Sequence, residues 1–200
     1  MGLWACFSEG AAVEQCTICL AGGCFWGMEA LYRALPGVTD VQCGYANGDS
    51  AAHANYEDVC TGITGFREAV MVTWNPGVTT LEALLFAFFA VVDVELPNRQ
   101  GADVGTQYQS GIYWIRSQQE ETIRAIAAME ASAVPVFAVE LKPLENFFPA
   151  EEYHQRYLEK HPKGYCHISP LRRQALICYP FQRENYTRPA RQLLAEKMDI

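Results

Sequence analysis

The chain has 200 residues, half of them hydrophobic, which suits one domain with a substantial core. A formal charge of −8 leaves no overall basic surface and excludes nucleic acid as the main partner. The charge is uneven: residues 171–200 carry six basic side chains against three acidic ones, a net +3, which leaves −11 for the first 170 residues, so this tail is expected to dock on the acidic body.

No secretory leader is expected at the start of the chain, because the first basic residue is Arg33 and Glu9 and Glu14 interrupt any apolar run. Residues 17–21 read as a short apolar strand ending at Gly22-Gly23, and residues 24–35 as a helix stopped by Pro36-Gly37. A second strand is predicted over 38–44, followed by a polar, small-residue loop from 46 to 55. "REAVMVTW" (67–74) predicts a third strand, closed by Asn75-Pro76-Gly77. Thr79 or Thr80 is placed to cap a helix over 81–92 that is apolar nearly all round and therefore buried. That stretch is too short to span a bilayer and contains Glu82, so no membrane partner is expected. A loop over 93–109 leads to a strand at 110–115, a helix at 118–131, a strand at 136–141 and a last core helix at 150–158.

The first six elements run strand, helix, strand, strand, helix, strand. This is the split βαβ order of an α+β, ferredoxin-like two-layer sandwich, with an antiparallel or mixed sheet and helices on one face. Residues 1–169 are expected to form one domain and 170–200 a C-terminal tail packing on it, with a helix at 189–198. Eight cysteines in such a chain read as thiols of a reducing compartment rather than a disulfide framework, hence a cytoplasmic location.

The chemistry concentrates in "AGGCFWGMEALYRALPG" (21–37). An ordinary thiol is only a few per cent ionised at neutral pH. The unpaired N–H groups and the dipole of a helix N-terminus favour the thiolate, so Cys24, introduced by two glycines, is placed as a reactive nucleophile. Phe25 and Trp26 point about 100° apart on a helix. They fit the walls of a pocket at the helix head better than one packed stripe.

"GCFWG" with the following Glu29 resembles the catalytic signature of the A-type peptide methionine sulfoxide reductases. "GYANG" (44–48), "YEDVCTGITG" (56–65), "NRQGADVGTQYQS" (98–110), "AEEYHQRYL" (150–158) and "GYCHI" (164–168) match that family in order, over roughly residues 17–168. The resemblance implies that residues 1–169 are the catalytic domain of a thiol-dependent reductase. Its substrate is methionine S-sulfoxide, free or in proteins; a thioredoxin-like protein regenerates it; and no metal and no cofactor take part.

The resemblance also assigns roles. Cys24 attacks the sulfoxide sulfur and is left as a sulfenic acid, which Cys166 condenses to a disulfide. Phe25 and Trp26 wall the site of the substrate methyl group. The hydroxyls of Tyr45 and Tyr108 hydrogen-bond the sulfoxide oxygen, and Asp103 orients the site. The acid is Asp58, with Glu57 beside it on an extended segment, counted with the substrate-binding residues and expected to be solvated. Cys178 is a possible second relay with no support beyond its own presence. Phe66 and Gln109 depart from the family pattern, which has histidine and arginine there.

Two rivals compete from the residues alone. Cys16 and Cys19 form a C-x-x-C with zinc-ligand spacing, but on a strand its two thiols face opposite sides. A cysteine hydrolase needs a histidine base beside Cys24, for which His154 is the main candidate, without an accompanying oxyanion motif.

Overall fold

A computed structural model describes residues 15–179 and 181–198, so the expectation about a leader, resting on Glu9 and Glu14, lies outside the described residues. In chain order the elements are β1 (Cys16–Ala21), α1 (Phe25–Arg33), β2 (Val38–Ala46), α2 (Tyr56–Cys60), β3 (Arg67–Trp74) and α3 (Leu81–Val91). The short strands β4 (Arg99–Gln100) and β5 (Asp103–Val104) follow, then β6 (Gly111–Trp114), α4 (Gln118–Ala131), β7 (Glu140–Pro143), β8 (Phe147–Pro149), α5 (Tyr157–Lys160), α6 (Pro170–Cys178) and α7 (Ala190–Lys197).

Six strands form one sheet in the order β7-β6-β1-β3-β2-β8, and β4 pairs with β5 in a separate ribbon. β6 and β7 are parallel and the other neighbours antiparallel, so the fold is α+β around a mixed sheet. Alternation along the strands sorts the two faces. Ile18 and Leu20, Val41 and Cys43, Val70 and Val72 join the buried faces of α1, α3 and α4 in the main core. Cys19, Ala21, Ala69 and Tyr113 form a small cluster on the other face. Cys16 packs with the main core while Cys19 lies in the second cluster, so the C-x-x-C pair does face opposite sides.

Three expectations fail locally. The strand foreseen at 136–141 begins only at Glu140, because the Ala138 N–H donates to Val94 O (2.7 Å) and its carbonyl accepts from Gln109 Nε2 (2.6 Å). "YEDV" is not extended: Asn55 Oδ1 accepts the Asp58 N–H (3.0 Å) and caps α2, so Glu57 and Asp58 sit in a helical first turn. The helix foreseen at 150–158 is broken into turns, with helix only from Tyr157 and Arg156 left-handed at φ 51°. Polar groups of this segment, side-chain and backbone, spend their hydrogen bonds at long range. Gln155 pairs with both the N–H and the carbonyl of Cys43 at 2.9 Å, and the Arg156 N–H donates to Glu29 Oε1 at 2.8 Å.

The tail is more ordered than foreseen, with α6 in addition to α7. Leu176, Ala190 and Leu194 are buried in the main core. Glu130 accepts from the Ala190 N–H (2.9 Å) and the Tyr186 hydroxyl (2.8 Å). The ion pairs Arg183–Glu82 (3.2 Å) and Arg191–Asp93 (3.4 Å) have the sign the charge asymmetry suggests. Such partly exposed pairs are worth about 0–1 kcal/mol each, so apolar burial is what seats the tail. Among the described residues no helix is long and apolar enough to cross a membrane.

Candidate active site

β1 delivers the chain to Gly22-Gly23, and Gly23 turns it at φ 83°, a conformation that side chains resist. Cys24 is then the N-cap of α1. The first N–H groups of a helix have no partner within it. That of Phe25 donates to Glu68 Oε2 at 3.1 Å, while those of Trp26 and Gly27 favour a Cys24 thiolate. These donors do not prevail. Cys24 is 6% exposed, and burial, reinforced by the nearby Glu68 carboxyl, pushes its thiol well above the ordinary range. Burial and Glu68 therefore favour the protonated thiol at Cys24, opposing the thiolate that its helix position favours.

The carboxyl buried beside Cys24 is one that the motifs did not single out. Glu68 is 2% exposed and lies on the core face of β3 in phase with Val70, Val72 and Trp74. Burial raises its carboxyl to about 8, so it is protonated at neutral pH. β-sheet register sets Tyr45 of β2 directly opposite Glu68 of β3. Asp58, by contrast, is half-buried in α2 with its carboxylate on Asn55 Nδ2 (2.8 Å), and Glu57 is solvated as foreseen. The carboxyls that bear on Cys24 are those of Glu68 and Asp103. Asp58→Asn is therefore expected to change the single-turnover rate by no more than about twofold, the usual scale of a surface substitution.

The remaining foreseen residues gather around Cys24. Phe25 is buried, with Tyr45 and His154 at ring separations of 6.0 and 5.0 Å. Trp26 is half-buried, stacked on Tyr157 at 3.7 Å, and its indole N–H donates to His154 Nδ1 at 3.1 Å. Tyr108 ends a single helical turn, and burial together with Glu68, Tyr56 and Cys24 holds its hydroxyl un-ionised. Asp103 Oδ2 accepts from the Tyr165 hydroxyl at 3.0 Å, tying the segment that carries Cys166 to the site. Cys166 Sγ lies over Gly27, 3.3 Å from where a Cβ would stand.

Sequence reasoning missed Glu151. Its carboxylate accepts from the Tyr45 hydroxyl (2.7 Å) and the Tyr56 N–H (2.9 Å). Burial pushes this group up, but those two donors outweigh it and hold the carboxyl below the ordinary range. The Tyr45 proton is thus directed at Glu151. Two carboxyls with opposite shifts, one neutral and one ionised, flank the site.

The departures from the family pattern are structural in their contacts. Phe66 is buried edge-on against Tyr45 and Phe148, and Gln109 bonds the Asn98 N–H and the carbonyls of Ser110 and Ala138. His154 Nδ1 is occupied by Trp26, so it does not serve Cys24 as a base. The seven cysteines among the described residues are all free thiols, and those residues contain no group of three or more His, Cys, Asp or Glu arranged to hold a metal.

The model of the family described as peptide methionine sulfoxide reductase matches residues 16–184. The chain belongs to the peptide methionine sulfoxide reductase family. The MsrA of Clostridium perfringens (strain SM101) is 44% identical over 152 residues, covering 76% of this chain and 96% of that protein. Among solved structures, the reduced form of Mxr1 from Saccharomyces cerevisiae superposes with a TM-score of 0.72 at 37% identity, over 82% of this chain and 96% of that one. Mxr1 in complex with Trx2 is also similar, with a TM-score of 0.50 at 25% identity over 74% of this chain and 91% of that one.

In a reductase site, Trp26 is held by a ring stack and an indole hydrogen bond, so it presents a fixed apolar wall. Trp26→Ala is expected to weaken kcat/KM for methionine sulfoxide by roughly 1–3 kcal/mol, the scale of one good apolar contact. The alkylation rate of Cys24 by a generic reagent should fall much less. Equal losses would mean that Trp26 supports the helix rather than the substrate.

Proposed function

We propose that this chain reduces methionine S-sulfoxide to methionine through Cys24, with Glu68 as the acid, and is recycled through Cys166 by a thioredoxin-like dithiol. The observation that carries the reading is the buried Cys24–Glu68 pair at the head of α1. A thiolate and a carboxylate packed together in a poorly solvated site disfavour each other, so both Cys24 and Glu68 hold their protons at neutral pH. Glu68, neutral at rest, donates its proton to the sulfoxide oxygen as Cys24 attacks sulfur and gives its own proton back to Glu68. The sum is a thiol and a sulfoxide becoming a sulfenic acid and a sulfide, with no net proton released. Tyr45 and Tyr108, un-ionised and beside the acid, supply hydrogen bonds to the oxygen as negative charge develops on it.

Methyl recognition falls to Phe25 and Trp26, and Asp103 orients the site through Tyr165. Residues 1–169 form the catalytic unit in this reading, with 170–200 as a docked tail, and the protein works in the cytoplasm. The strand order β6-β1-β3-β2 within the sheet, with α1 and α3 as its crossovers, supports a ferredoxin-like description of the core. The Mxr1–Trx2 complex supports a thioredoxin partner.

The test is consumption of resolved sulfoxide epimers by purified protein with dithiothreitol: the S epimer should yield methionine and the R epimer none. Consumption of neither, or of R alone, would refute the reading. Cys166→Ser should still yield one methionine per chain in a single turnover, while thioredoxin-driven turnover collapses. Survival of that turnover would transfer the resolving role to another thiol, Cys178 first.

A further inference from the structure

Resolution requires Cys166 to meet the Cys24 sulfenic acid, yet residues 161–169 contain no helix or strand to hold Cys166 in place. Ile168 anchors the end of this segment in the main core, and two polar side chains fasten the stretch around Cys166. One is Tyr165, exposed, whose bond to Asp103 competes with water. The other is His167. Its Nε2 lies 2.9 Å from Gly22 O, and since a carbonyl only accepts, Nε2 carries the proton. Nδ1 is buried and without a partner.

The ring occupies space that exists because the head of α1 is built from glycines. A Cβ on Gly23 would stand 3.2 Å from Nε2, and one on Gly27 would stand 3.0 Å from both Cε1 and Nδ1. Cys166 Sγ is 3.3 Å from that same point over Gly27. Gly23 immediately precedes Cys24, and Gly27 follows it within the first turn of α1. The imidazole and the resolving sulfur therefore rest side by side on the turn that begins at the nucleophile.

We propose that His167 is a positioning residue of the resolving step: its N–H on Gly22 O clasps residues 164–168 to the head of α1 and keeps Cys166 within reach of Cys24. The step itself forms the Cys24–Cys166 disulfide bond and breaks the S–O bond of the sulfenic acid, whose hydroxyl leaves as water with the Cys166 proton. In this role His167 takes no proton or bond in the step; it shortens the search of one thiol for the other. The inference rests on the reductase reading above.

His167→Leu fills much of the same space without a donor, and His167→Gln places an amide N–H close to where Nε2 stands. With excess enzyme and no reductant, methionine formation and thiol loss are followed separately in one turnover. In His167→Leu, methionine should form at the wild-type rate while disulfide formation slows about tenfold, the scale of one hydrogen bond and the orientation it fixes. His167→Gln should recover most of that loss. Disulfide formation at the wild-type rate in His167→Leu, no recovery in His167→Gln, or an equal loss of methionine formation would each overturn the proposal. Wild-type protein that forms no methionine would overturn the reductase reading itself, and this inference with it.

Discussion

Cys24→Ser should form no methionine above background, a loss of at least about 10³-fold, while the fold is retained. The site protonates the group at position 24 because burial and Glu68 both disfavour an anion there. A thiol can still give up its proton to Glu68 as the S–S contact closes. A serine hydroxyl is far less acidic and a far poorer nucleophile toward sulfur. The exchange of one small side chain for another at a helix N-cap is tolerated, since serine is itself a favoured cap. Residual turnover in single-turnover chromatography would place the nucleophile elsewhere.

Glu68→Gln should lower the single-turnover rate by about 10², the usual contribution of a general acid. The amide still accepts the Phe25 N–H, so α1 keeps its first-turn partner and the loss should fall on rate rather than substrate affinity. The pH dependence separates this role from a packing role. Glu68 holds its proton up to about pH 8, so the wild-type rate of the reducing step should decline as pH rises through about 8 for want of the acid. Glu68→Gln should lack that decline. Stability moves in the same direction: between the ordinary carboxylate value and about 8 the folded chain binds a proton that the unfolded chain has released. Folding stability should therefore fall with rising pH across that window in the wild type and be flatter in Glu68→Gln. Urea titrations at pH 5 and pH 8.5 on both proteins measure it. An unchanged rate in Glu68→Gln would return the acid to Asp58 or to another group.

That Cys24, Tyr45, Tyr108, Asp103 and Cys166 gather at the head of α1 was legible in the sequence because each lies inside a contiguous motif whose local order survives folding. Glu68 was not, although a signal was present. In "REAVMVTW" it shares strand parity with Val70, Val72 and Trp74, which places a carboxyl on the core face of a buried strand. Buried acids are rare unless paired, so that parity was the signal that a carboxyl sits in the core beside α1, a signal that the motif spacing around Asp58 obscured. α2 was hidden for a different reason: Asn55 caps a five-residue helix too short to leave a periodic pattern. In residues 150–158 a helical pattern was overridden by long-range partners, Glu151 on Tyr45, Gln155 on Cys43 and the Arg156 N–H on Glu29. Those partners lie more than one hundred residues earlier in the chain, beyond any local reading.

The path of the oxygen shows whether the Cys24 sulfur is the atom that attacks the sulfoxide. Cys166→Ser protein, incubated in excess with methionine sulfoxide carrying a heavy oxygen isotope, is digested without reductant and its cysteine peptides are weighed. One heavy oxygen should appear on the peptide containing Cys24 for each methionine released. Methionine released with no oxygen gained at Cys24, or with the label on another cysteine, would contradict attack by Cys24.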